Sequence, residues 1–190
     1  MTHKFTRITS VLTALCFATP VLADGRDCTI DDTLALETFG ITEMAEDHHI
    51  IETEIIINAA PEKVWAVLIS PKNDWSSSYR GISGDVRNGG QVNIAWRMKN
   101  GNLTDFPLVL AHYIDGQQFG WSEEFPNAKG IFDNHIYRVE AISECQTRFV
   151  QTDAFKGTSV ENPDAKTKAF AEQILPSYVN FNRELKAAAE

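Results

Sequence analysis

The sequence predicts an α+β fold in which an antiparallel sheet packs against a long C-terminal helix. Three observations carry this. Asn88-Gly89-Gly90, Asn100-Gly101 and Asp115-Gly116 are dipeptide signals for tight hairpins, because the central positions of such turns need positive φ. Strand-length runs lie between them, and Gln91–Met98 alternates with Val92, Ile94, Trp96 and Met98 on one face. Near the C-terminus Phe170, Ile174, Tyr178, Phe181 and Leu185 recur at helical spacing, a stripe that must bury against a large apolar surface.

Taken in order, residues 29–46 read as a short extra helix and His49–Ile57 as the first strand. Pro61 at a first helical position, acidic Glu62 beside it, and the apolar Val64, Trp65, Val67 and Leu68 open a short helix. A six-strand antiparallel run is expected next, including Gln91–Met98, Leu103–Tyr113, Gln117–Glu124, Ile131–Ile142 and Gln146–Lys156. Asn162 and Pro163 supply the cap and first position of the last helix, and Pro176 is expected to kink it near Glu172.

Residues 1–23 have the organisation of a secretory signal. Lys4 and Arg7 precede an apolar stretch from Ile8 to Phe17, and Val21-Leu22-Ala23 forms a small-residue cleavage site. Leu15 before Cys16 argues against a lipoprotein cysteine. Cleavage would leave 167 of the 190 residues, divided into an N-terminal extension at 24–48 and one domain at 49–190. The formal net charge is −9, and loss of the two basic residues takes it to −11. Such a surface disfavours nucleic acid and anionic membranes. No later stretch reaches the ~18 apolar residues of a membrane span, so a periplasmic or secreted location is expected. Cys28 and Cys145 remain, and in an oxidising compartment they are expected to pair.

The run Ile56-Ile57-Asn58-Ala59-Ala60-Pro61-Glu62-Lys63-Val64-Trp65, then Trp75, then Thr147-Arg148-Phe149-Val150-Gln151 and Phe155-Lys156-Gly157, resembles the START-like or SRPBCC superfamily in its polyketide cyclase/dehydrase-like branch. The resemblance spans about residues 49–188. It implies a helix-grip fold, with a curved seven-stranded antiparallel sheet wrapped around the C-terminal helix and a hydrophobic cavity between them. Members include lipid and hormone carriers, aromatic polyketide cyclases, oxygenase domains and chaperone activators, so the fold alone does not assign a function.

Strand periodicity selects the residues that would face such a cavity. On Ile131–Ile142 the odd positions His135, Tyr137, Val139 and Ala141 share the more apolar face, and on the next strand Thr147, Phe149, Gln151, Asp153 and Phe155 do the same. A turn centred on Glu144 sets His135 opposite Asp153 and Tyr137 opposite Gln151. The His–Asp pair has two readings. The carboxylate would favour a charged imidazole that moves a proton in a cyclisation, dehydration or isomerisation, with Asp153 and Tyr137 in support. Alternatively the two groups satisfy each other or orient a ligand.

Trp96, Phe119, Trp121, Phe149, Phe155, Tyr178 and Phe181 also fall on inward faces, with Trp75 and Phe106 as further candidates. They serve either a filled core or a cavity for a neutral hydrophobic small molecule. No cofactor is expected. His48 and His49 point to opposite faces of a strand, and neither a CxxC nor an HExxH motif is present, so no metal is expected. The Ser76-Ser77-Ser78 run does not match a hydrolase elbow.

Overall fold

At Gly101 and Gly116 φ is 84° and 74°, the left-handed region that tight turns require and side chains resist. These turns close two of the predicted hairpins. The computed structural model describes residues 28–124, 129–157 and 167–190. Within them lie β1 (Glu37–Ala45), β2 (His48–Ile57), α1 (Pro61–Leu68), β3 (Tyr79–Gly84), β4 (Gln91–Arg97), β5 (Leu103–Val109), β6 (Ala111–Ile114), β7 (Gln118–Glu124), β8 (Ile131–Ser143), β9 (Gln146–Gly157) and α2 (Thr167–Ala189). The expected secretory signal, the expected start of the mature chain and the Asn162-Pro163 cap lie outside the described residues.

The expected single sheet of seven strands is instead nine described strands in two sheets. Six run in the order β1-β2-β9-β8-β7-β6, and β3-β4-β5 form a second sheet. The Leu103–Tyr113 strand divides at Leu110. Its N–H donates to Gly90 O at 3.0 Å and its carbonyl accepts from Gly89 N–H at 2.8 Å, which takes it out of the β5 ladder. From Ala111 the chain pairs with β7, and His112, at φ 55°, lies within the register shift between Ala111 and Ile114. The helix expected within residues 29–46 is replaced by β1, so the sheet begins at Glu37, ahead of residue 49. As an edge strand packed on one side only, β1 leaves Phe39 and Met44 exposed, and the alternation that marks a buried strand is missing from its sequence.

The long β8–β9 hairpin follows the predicted register, with His135 opposite Asp153, Tyr137 opposite Gln151 and a shift only beside the turn at Ala141 to Ser143. The helix α2 continues unbroken through Pro176. Its Tyr178, Phe181 and Leu185 are buried while Phe170 and Ile174 are half-buried. Arg183 ties it to β1 through two hydrogen bonds to Glu37, of 2.9 and 2.7 Å. The expected bridge forms between Cys28 and Cys145, with Cα atoms 5.5 Å apart, and fixes the N-terminal segment to the β8–β9 turn.

Two apolar clusters fill the interior. One joins Trp65 of α1, Tyr79, Phe119, Tyr137, Phe149 and Phe181. The other joins Ile51, Ile131, Phe155, Ala171 and Tyr178. The boundary between them is where polar side chains enter.

Candidate functional site

Alternation along β8 and β9 turns Asp133, His135 and Tyr137, together with Gln151 and Asp153, inward. All are at most 3% exposed. β8 lies close against β7 here. A Cβ on Gly120 would meet the His135 carbonyl oxygen at 2.3 Å, so only glycine permits this approach. Trp121 then packs on the imidazole from β7, with ring centroids 4.7 Å apart, and Tyr178 stacks on it from α2 at 4.9 Å.

The Tyr178 hydroxyl donates to Asp153 Oδ2 at 2.5 Å and lies 3.5 Å from His135 Nδ1. Nδ1 and Oδ2 are 3.7 Å apart. The carboxylate therefore uses the tyrosine as its close partner and holds the histidine more loosely. Asp133, one step along the same face, accepts the Glu123 backbone N–H at 3.1 Å.

Burial governs the charges. It pushes the His135 imidazole down to about 3, against the charged form that the neighbouring carboxylate alone would favour. Asp153 is raised well above the usual carboxylate range, by burial and then by the charge of Asp133. Burial also lifts Asp133 to about 6. Burial with Asp133 beside it takes Glu123 to about 7. Desolvation outweighs mutual attraction because His135 and Asp153 share no short contact.

Four side-chain atoms in this group have no hydrogen-bond partner among the described residues: His135 Nε2, Tyr137 OH, Gln151 Oε1 and Asp153 Oδ1. Each unsatisfied buried polar atom costs about 1–3 kcal/mol. Such a concentration on one face marks the place where a water, an ion or a guest would be held. A further such atom, Asn182 Oδ1, belongs to a side chain whose amide donates to Thr53 Oγ1 at 2.9 Å, and Thr53 is the cross-strand neighbour of Gln151.

The aromatic set divides. Trp121, Phe155, Tyr178 and Phe181 are buried. Trp75 and Trp96 are half-buried and pack on Tyr79 at 5.8 and 5.5 Å. Phe106 is half-buried and belongs to neither cluster. Tyr137 stacks on Phe181 at 5.3 Å and on Phe149 at 5.9 Å, so these rings fill the space between sheet and helix. Two open grooves, of about 620 and 450 Å³, lie elsewhere, lined by residues such as Glu62, Asp115, Arg138 and Glu140 or Ser143 and Glu144. The residues missed from sequence are Asp133, Thr53 and Asn182. The Asp133-x-His135 spacing on one strand was the available signal for the first.

A sheet gripping a long C-terminal helix over an inward polar cluster is the helix-grip fold. Solved structures share it. The chain is similar to a conserved protein of unknown function, EF2215, from Enterococcus faecalis, at TM-score 0.55 and 16% identity over 81% of this chain and 77% of that one. It is similar to human STARD10 at TM-score 0.53 and 12% identity, over 85% of this chain and 72% of that one. It is also similar to the di-domain ARO/CYC BexL of the BE-7585A biosynthetic pathway, at TM-score 0.54 and 12% identity over 77% of this chain. There it spans about half of the longer chain, 52%. No family model and no curated protein matches the sequence.

Proposed function

We propose that this chain is an exported protein that binds a neutral, predominantly apolar small molecule beneath α2, holding the guest's polar end on Tyr137, Gln151, His135 and Asp153. The observation that carries the reading is the convergence of four unpartnered polar atoms on one face of the β8–β9 hairpin. A guest hydroxyl would donate to an acceptor such as Gln151 Oε1 and accept from a donor such as the Tyr137 hydroxyl, and Trp121, Phe155, Tyr178 and Phe181 offer apolar contact around it. Trp75, Trp96 and Phe106 lie farther out and serve as walls at most. Because described rings fill the interior, binding is coupled to displacement of α2, which carries Tyr178 and Phe181 away from the sheet. Export rests on the signal-like N-terminus and is supported by the Cys28–Cys145 bridge. The shared fold with a START protein and an ARO/CYC domain supports the ligand class.

The test uses N-phenyl-1-naphthylamine, a neutral apolar fluorophore with one polar N–H, read by fluorescence and native mass spectrometry. Saturable one-to-one binding that falls at least tenfold in Gln151→Leu is expected. Absence of saturation, or equal affinity in the variant, overturns the reading.

The second reading is a cyclase, dehydratase or isomerase with His135 as general acid/base and Asp153 and Tyr137 in support. The Tyr178–Asp153–His135 arrangement favours it, since it links three protonatable groups. An imidazole held near 3 is a weak base at neutral pH, which places binding first. His135→Ala would abolish turnover while leaving the fold intact; unchanged turnover excludes this chemistry.

A further inference from the structure

Asp133 and His135 share the inward face of β8, and Asp153 lies directly across from His135 on β9. Each offers a ligand atom, a carboxylate oxygen or an imidazole nitrogen, and the three atoms lie within 4.8 Å of one another. Three atoms so placed surround a point within about 2.8 Å of all of them, so contractions of about 0.7 Å would bring them to the 2.0–2.2 Å of zinc–oxygen and zinc–nitrogen bonds. The three residues are 3%, 3% and 0% exposed.

A cluster of acids alone would mean little. Here two of the three residues also carry a buried atom without a hydrogen-bond partner, His135 Nε2 and Asp153 Oδ1, while the two side chains approach each other at 3.7 Å through His135 Nδ1 and Asp153 Oδ2. Among the described ion pairs, neither Asp133 nor Asp153 meets a lysine or arginine. A divalent cation would displace the acid protons and balance both carboxylates in one step. Supporting contacts are already in place. Tyr178 holds Asp153 Oδ2, leaving Oδ1 free, and the Glu123 N–H holds Asp133 Oδ1. Outer contacts of this kind orient metal ligands.

We propose that Asp133, His135 and Asp153 bind a divalent transition-metal ion of the zinc type. The imidazole and the count of three protein ligands favour such an ion over calcium or magnesium, which prefer all-oxygen shells. A three-ligand site leaves a coordination position open. Only the Asp133-x-His135 pair is visible in the sequence; the third ligand is on another strand. It shares His135 and Asp153 with the small-molecule reading, and the metal titration tells the two apart.

The full mature chain, without an affinity tag, is stripped with EDTA, desalted and titrated with ZnCl2 and separately MgCl2 by calorimetry, with native mass spectrometry for stoichiometry. One zinc per chain is expected, with micromolar or tighter affinity and magnesium at least a hundredfold weaker. Asp133→Asn and His135→Gln, each checked by circular dichroism, are expected to lose at least tenfold in zinc affinity, and the surface control His48→Gln/His112→Gln none. If neither site variant folds, Co2+ replaces zinc in the unaltered chain, and visible bands typical of a low-coordinate nitrogen–oxygen site are expected. No zinc binding, affinity unchanged in a folded site variant, affinity lost in the surface control, or a Co2+ spectrum like that of the aquo ion overturns the proposal. Fluorophore binding measured in EDTA separates the two readings: if it persists while zinc fails, only the metal site falls, and the converse result removes only the small-molecule reading.

Discussion

The Tyr178 hydroxyl, reaching down from α2, donates to Asp153 Oδ2 on β9 at 2.5 Å, and this bond joins helix to sheet at the centre of the polar cluster. Removing its donor leaves a buried carboxyl group unpaired. Tyr178→Phe is expected to lower stability by about 1–3 kcal/mol. Asp153→Asn avoids burying a charge and keeps an acceptor for the tyrosine, so a loss under about 1 kcal/mol is expected in metal-free protein. Urea denaturation of both variants checks the order. A larger loss in Asp153→Asn would mean that the carboxyl group is buried as an anion.

The Cys28–Cys145 bridge closes a separation of 117 residues. In the chain-entropy model, a loop of this size stabilises by about 3–5 kcal/mol. Cys28→Ser/Cys145→Ser is expected to lose most of that in chemical denaturation, and reductant should destabilise the native chain while leaving the double variant unchanged.

Glu184 on α2 binds the loop that leads into β3, accepting from Ser76 Oγ and Ser77 N at 2.8 Å each. Burial raises its carboxyl pKa, but hydrogen bonds from Ser77, Ser76 and Asn180 outweigh that and hold it below the ordinary value. A lowered folded-state pKa contributes stability that is present above the unfolded value of 4.5 and lost as pH falls through the folded one. Glu184→Gln should cost about 1 kcal/mol at pH 7, the site being largely solvated. The gap between the two proteins should close in denaturation curves recorded below pH 4.5.

Legibility in the sequence followed the strength of local periodicity. The β8–β9 register was readable because both strands alternate cleanly and a single turn sets their pairing, so His135–Asp153 and Tyr137–Gln151 fell into place. β1 was not readable, since an edge strand with exposed Phe39 and Met44 shows no buried face. The break at Leu110 was hidden because it depends on backbone bonds to Gly89 and Gly90, contacts that no local pattern encodes. Asp133 lay on the correct face but at its charged end. The lowered pKa of His135 follows from its burial, with Trp121 and Tyr178 packed on the ring, which only the folded chain reveals. A neighbouring carboxylate was visible in the sequence; the depth of burial that overrides it was not.

Tyr137 provides the most direct measurement of the central claim, because its hydroxyl is buried and unpartnered. If that hydroxyl is kept for a guest, Tyr137→Phe should hold or raise Tm, with a gain of up to about 1–2 kcal/mol from removing an unsatisfied group. The same variant should bind N-phenyl-1-naphthylamine at least tenfold more weakly. A lower Tm combined with unchanged affinity would contradict the account and assign the hydroxyl to the fold alone.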